Sequence, residues 1–180
     1  MRRNGWKSGT AALLVLVMAA LTRAGEGLPT KVMVRAVSRD AKVIGTNVGG
    51  ARITIRDVAS GGVLAEGIQQ GETGSTDLIM VRPRARGATI FNTPGTAGFL
   101  ATLTLERPTV VEVTAEGPLG TPQSTQRASK TLLLVPGQDV LGEGIILEIH
   151  GFTVELLSPA AHARFSVRSQ IDVRAAVTLT

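Results

Sequence analysis

Gly49-Gly-Ala-Arg-Ile-Thr-Ile-Arg-Asp-Val-Ala-Ser-Gly-Gly-Val-Leu-Ala-Glu-Gly67 is the stretch whose reading decides the fold. In it Ala51, Ile53 and Ile55 alternate with Arg52, Thr54 and Arg56. That period of two belongs to a strand with one face in a core and the other in water. Asp57 to Gly62 supplies turn chemistry, and Val63-Leu-Ala-Glu offers a second short strand. The unit reads as a β-hairpin, and the rest of the chain repeats its grammar of strand, Gly/Pro turn, strand.

Upstream, Leu28-Pro29 reads as a linker. From Thr30 to Val37, Val32, Val34 and Ala36 share one face, while Lys31, Met33 and Arg35 form an exposed one. Ser38 to Asn47 is a polar connection in which Val43-Ile44 suggests a short edge strand. Downstream, Gln69 to Asp77 reads as a flexible polar loop and Leu78 to Val81 as a short apolar strand. Arg82 through Gly95 is a long connection with Ile90-Phe91 tucked onto the core.

Two clear strands follow. Ala97, Phe99, Ala101, Leu103 and Leu105 share a face; after Arg107-Pro108, so do Val111, Val113 and Ala115. The tight spacer suggests that these two strands form a hairpin. Gly117 to Gln126 is rich in breakers. Thr131-Leu-Leu-Leu-Val135 is a continuous apolar run, as in a central strand covered on both faces. Beyond Pro136-Gly-Gln-Asp139, Ile145, Leu147 and Ile149 face inward, opposite Ile146, Glu148 and His150. At Gly151 the parity slips, and Phe152, Val154 and Leu156 become the inward set, which marks a bulge or a boundary. A last alternating run extends from Phe165 to Leu179, and no long segment carries the helical period.

Val32-Met-Val, Gly50-Ala-Arg-Ile-Thr-Ile-Arg-Asp and Val63-Leu-Ala-Glu-Gly together resemble the opening strands of carboxypeptidase-regulatory-like modules, which are small transthyretin-like or immunoglobulin-like sandwiches. The resemblance spans about residues 30–115. It departs after the Gly-Glu-Thr-Gly loop, where such modules show an aromatic strand and this chain has Leu78-Ile-Met. It implies a non-catalytic accessory or structural domain and carries over no functional residue.

The first residues speak to destination. Met-Arg-Arg-Asn-Gly-Trp-Lys7 is a basic start, Ala11 to Leu21 is apolar, and Thr22-Arg-Ala24 suits a signal peptidase, so residues 1–24 read as a secretory signal peptide. The expected location is periplasmic or extracellular, in a bacterial setting, by general secretion rather than the twin-arginine route. Four of the 19 Lys and Arg, and none of the 14 acids, precede residue 25, which leaves 15 basic against 14 acidic residues and a mature charge of +1. Nucleic acid is therefore not an expected partner. Ala11 to Leu21 is too short to span a hydrocarbon core roughly 30 Å thick, and no transmembrane segment is expected in the mature chain. Without cysteine there is no disulfide. Trp6 is the only Trp and there is no Tyr, so the core must be Val, Ile, Leu and Ala.

Catalytic chemistry finds few residues. His150 and His162 are the only histidines, twelve positions apart, so neither a metal nor another cofactor is expected. There is no nucleophile elbow or thiol, and Gly71-Glu-Thr-Gly-Ser-Thr76 lacks the Lys of a phosphate loop. The strongest cluster is Arg82, Arg84 and Arg86, where Pro83 restricts the backbone and three guanidinium groups could receive an acidic partner.

These readings combine into an all-β chain. An immunoglobulin-like or transthyretin-like antiparallel β-sandwich is expected over residues 28–150, with little helix. Residues 151–180 are either its final strands or the start of an incomplete second immunoglobulin-like domain, and an unpaired apolar strand there would promote self-association. The expected function is a non-enzymatic secreted or envelope module in protein binding or scaffolding. The alternative is a small periplasmic ligand-binding protein or enzyme.

Overall fold

The computed structural model describes residues 26–179, and residues 1–24, for which a signal peptide is expected from sequence, lie outside them. Seven strands run from β1 (Leu28–Ser38) through β2 (Ala51–Asp57), β3 (Val63–Gln69), β4 (Phe99–Leu105), β5 (Thr109–Gly117) and β6 (Gln126–Leu134) to β7 (Val140–Ile149). They form two sheets, one ordered β4-β1-β7 and the other β3-β2-β5-β6. A third, two-stranded sheet joins β8 (Phe152–Ser158) to β9 (Arg174–Leu179). The chain is thus an all-β sandwich.

The alternation seen in sequence is the alternation of burial. Val32, Val34 and Ala36 of β1, Ala101, Leu103 and Leu105 of β4, and Ile145, Leu147 and Ile149 of β7 meet Ala51, Ile53 and Ile55 of β2 and Val111, Val113 and Ala115 of β5. This one aliphatic layer removes Ile53 and Ile55 wholly from water, worth about 1.5–3 kcal/mol for each side chain. Phe99 packs on its rim, beside Gly67, where a Cβ would collide with the Phe99 ring. That missing side chain lets β3 and β4 approach at one corner of the sandwich.

Pairing is antiparallel throughout except between β1 and β7, which run parallel from Val34↔Ile145 to Ser38↔Ile149. In the constant-type immunoglobulin order the second and third strands lie in different sheets. Here β2 and β3 are a hairpin within one sheet.

Several sequence expectations are corrected. Leu28 and Pro29 belong to β1 and pair with Leu105 and Thr104. Leu78 to Val81 lies in a single π-helical turn, Asp77–Val81, with Ile79 buried. Four apolar residues are too few to separate a strand from a turn of helix by periodicity. The strands β4 and β5 form no hairpin: β4 pairs with β1, β5 pairs with β2 and β6, and Arg107-Pro108 crosses between sheets. β6 is an edge rather than a central strand, with Leu133 56% exposed. In the final run only Arg174–Leu179 is strand. Phe152, Val154 and Leu156 are exposed rather than inward.

Candidate functional site

Arg35 shows how the outer face of the β4-β1-β7 sheet is organised. It stands on the side of β1 opposite the core, yet is buried, because residues 71–98 fold across that face. A second apolar cluster forms beneath this cover, from Val37, Val43, Ile79 and Ala97, with Ile90, Phe91 and Ile146 against it. The Arg35 guanidinium donates to the Ala97 carbonyl at 2.6 Å, to the Thr96 carbonyl at 3.2 Å and to Asn92 Oδ1 at 3.1 Å. Burial pulls its pKa down, and the nearby Glu143 carboxylate works against that shift.

Glu143 completes the latch. Between the pairs Val32↔Val140 and Val34↔Ile145, β7 bulges outward, with Gly142 and Gly144 in left-handed conformations. A bulge re-aims the side chain it carries. Here Glu143 accepts the backbone N–H groups of Ile90 at 2.6 Å, Phe91 at 2.9 Å and Asn92 at 3.3 Å. Neither Arg35 nor Glu143 stands out by periodicity. The Gly-Glu-Gly triplet at residues 142–144 is the only local signal for the second.

This anchored cover presents the arginine cluster. Arg82 pairs with Asp77 Oδ2 at 2.6 Å, and Arg84 lies 5.8 Å from the centre of the Phe91 ring while donating to the Ile79 carbonyl. Arg86 is exposed. Two of the three guanidinium groups therefore already hold intramolecular contacts, which lowers what they can offer to a partner.

The outer face of the β3-β2-β5-β6 sheet is more regular. Register places Ile68, Arg52, Glu116 and Arg127 in one row across the strands, then Glu66, Thr54, Thr114 and Ser129, then Val63, Arg56, Glu112 and Thr131. Read along the strands, charge alternates by column: Glu66 on β3, Arg52 and Arg56 on β2, Glu112 and Glu116 on β5, Arg127 on β6. Opposite charges on adjacent strands support the pairing by roughly 0.2–1 kcal/mol each. Arg127 Nη1 stands 3.9 Å from Glu116 Oε1, and the polar side chains frame a hollow of about 200 Å³. The columns of β2 and β5 were readable as the polar halves of strands, whereas Arg127 lay outside the apolar run Thr131–Val135 that was read as the next strand. The neighbourhood of β2 and β5 was not readable, because the β2–β5 pairing spans more than fifty residues.

His150 borders a smaller hollow of about 110 Å³ with Arg39, Gln126, Arg127, Glu148 and Ile149. Glu148 is already bonded to Arg39 at 2.7 Å, and His162 sits in a left-handed turn of the exposed connection between β8 and β9. Among the described residues no three His, Asp or Glu are grouped to hold a metal ion, and no helix is long and apolar enough to cross a membrane.

No family model, curated protein or solved structure matches this chain.

Proposed function

We propose that the chain is an exported, non-enzymatic β-sandwich module that binds or scaffolds another protein of the cell envelope, with the striped outer face of the β3-β2-β5-β6 sheet as its contact surface. The observation that carries this reading is the column pattern of Glu66, Arg52 and Arg56, Glu112 and Glu116, and Arg127. Three cations and three anions in alternating columns offer no net field to a polyanion. Such a pattern does discriminate among protein surfaces, since like charges brought together are penalised and opposite ones reinforced. The hollow there, about 200 Å³, is smaller and more polar than the ~300–1,000 Å³ apolar clefts that enclose small ligands. A sandwich resembling a carboxypeptidase-regulatory-like module agrees with an accessory role. The β2–β3 hairpin within one sheet favours the transthyretin-like branch of that resemblance over the immunoglobulin one.

The test is capture from the envelope fraction of the producing cells by the mature protein, with intact mass confirming a start at Gly25. Reversal of one column, Glu112→Lys with Glu116→Lys, should abolish capture while leaving the chain monodisperse and folded. Capture that survives this reversal, or that is nonspecific toward any cationic protein, overturns the reading.

A further inference from the structure

The outer face of the β3-β2-β5-β6 sheet carries an even number of charge columns in strict alternation. Glu66 on β3 is negative, Arg52 and Arg56 on β2 are positive, Glu112 and Glu116 on β5 are negative, and Arg127 on β6 is positive. Such an order becomes its opposite when read from the other side. A two-fold axis laid along the strands, midway between β2 and β5, performs that reversal. It brings the β2 column of one copy onto the β5 column of the other, and the β3 column onto β6.

Rows survive the same operation, because rotation about an axis parallel to the strands leaves position along them unchanged. Arg52 shares its row with Glu116, and Arg56 shares its row with Glu112. Each of these four side chains therefore faces an opposite charge on the other copy. Arg56 has one N–H on the Gly61 carbonyl, and Glu116 stands 3.9 Å from Arg127, so donors and lone pairs remain for a partner. In the outer columns Arg127 comes over Ile68, two residues along β3 from Glu66. The apolar end of the face matches too. Val110 and Leu133 form the next row, 44% and 56% exposed, and Val58, 52% exposed, continues β2 beside Val110. Reversal puts Val58 onto Val110. An axis across the strands would instead set every column on its own image, with like charges in contact.

We infer that this face docks on the same face of a second copy of the chain, about a two-fold axis parallel to the strands between β2 and β5. The inference rests on the reading of the striped face as a protein contact surface and names its occupant. An isologous contact needs a patch that complements itself, and alternating columns in even number meet that condition. Face-to-face sheets keep their strands within about 30° of one another, which holds the columns together over three rows. Size limits the strength. Four strands ~4.8 Å apart and about seven residues long at ~3.3 Å each give a footprint of roughly 450 Å². That is below the ~800 Å² each partner gives to a standard stable interface, so the association is weak and salt-sensitive. At the low concentrations of a capture experiment the copies are apart, and the face is open to an envelope protein with the reversed column order.

The full chain, purified from its own cells, is followed by sedimentation from roughly 1 μM to 1 mM at low salt. Dimer should form within the series and weaken about tenfold or more between ~50 and ~500 mM salt. Two reversals, Arg52→Glu with Arg56→Glu and Glu112→Lys with Glu116→Lys, should each be monomeric alone, since columns of one sign then face each other. Mixed in equal amounts they should restore the dimer, because two acidic columns meet two basic ones. Circular dichroism checks that each variant is folded. Where a reversal costs the fold, the neutral pair Arg52→Gln with Arg56→Gln replaces it and should weaken the dimer about tenfold or more. A monomer throughout the series, a dimer indifferent to these variants, or a mixture that fails to associate overturns the inference. Capture from the envelope fraction is read in parallel. Capture lost on reversal by a parent that stays monomeric removes the second copy and keeps the contact face for another protein. A dimer that obeys the columns, beside capture that ignores them, keeps the second copy and removes the envelope partner from this face.

Discussion

The carboxamide of Gln69 meets both backbone groups of Ala36: its Oε1 accepts from the Ala36 N–H at 2.7 Å and its Nε2 donates to the Ala36 carbonyl at 3.0 Å. The same Nε2 donates to the Ile44 carbonyl at 2.8 Å. Pairing between β1 and β4 ends at Val34↔Phe99, and two residues further on this side chain stands in for the missing strand. Gln69 is fully buried, and it belongs to a segment whose composition reads as a solvated loop. Gln69→Leu keeps the volume and strands the Ala36 N–H and the Ile44 carbonyl, each costing roughly 1–3 kcal/mol. A loss of about 2–5 kcal/mol in urea unfolding is expected, with an unchanged m-value. Gln69→Glu should be as damaging, since an ionised carboxylate cannot donate to either carbonyl.

Glu143 holds the cover through three N–H groups, so its removal should act locally. For Glu143→Ala we expect faster amide exchange at Ile90, Phe91 and Asn92, with the β2 and β5 amides retaining their protection. A cost of about 2–3 kcal/mol is expected for the orphaned donors. Gly144→Ala should be worse, because that residue has φ of +74° and a Cβ there would strike the Met33 carbonyl. Uniform loss of protection in Glu143→Ala would instead make the latch part of the global core.

How far the sequence carries depends on how local each contact is. The β2–β3 hairpin was legible because Asp57 to Gly62 closes it within six residues, and the inward sets of β1, β4, β5 and β7 were legible because period two is a property of each strand alone. Sheet membership was not, since a short Arg-Pro spacer says nothing about whether β5 returns beside β4 or crosses to β2. The burial of Arg35 was illegible for a related reason. Its cover, residues 71–98, has no periodicity of its own and is fixed by Glu143, far along the chain. For Arg82, Arg84 and Arg86 the charge was visible, but the partners Asp77 and Phe91 were not.

The turn at Asp57 gives a pH signature. Its carboxyl is held below the usual Asp range, first by the Ser60 hydroxyl at 2.7 Å and then by the Ala59 N–H at 2.9 Å. These bonds favour the ionised form in the folded chain. Their contribution is therefore complete above the unfolded value of about 3.9 and disappears as pH falls through the lower folded value. A carboxyl NMR titration should place the Asp57 midpoint below that of an ordinary Asp, and Ser60→Ala should move it upward. An unmoved midpoint would remove the hydroxyl as the cause.

Replacing Arg82, Arg84 and Arg86 together by Ala separates binding from packing. The Arg82–Asp77 pair is exposed, and such pairs contribute roughly 0–1 kcal/mol. The Arg84–Phe91 contact adds about 0.5–1 kcal/mol at an exposed site. The triple variant should therefore melt within a few degrees of the parent, about 2–4 °C per kcal/mol for a chain of this size. If these side chains also receive an acidic partner, capture falls with the substitution and shows salt sensitivity in the parent. Unchanged capture leaves them as the structural trim of the cover.

Shortening the chain after Gly151 should leave the sandwich standing. All seven strands of the two main sheets end by Ile149, and the aliphatic layer between them draws on no residue beyond it. The turn after β1 is tied to β7 by the Arg39 N–H on the Ile149 carbonyl at 2.7 Å, and that bond lies within the shortened chain. What is lost is the Ser124 contact with Val154 and the apolar face of the ribbon, which buries little against the core. The expected melting temperature is within about 3 °C of the full chain, less than the shift of a single core truncation. Collapse of the melting transition would mean that β8 and β9 stabilise the sandwich through the turn at Pro122–Ser124, and the boundary at Gly151 would then have to be withdrawn.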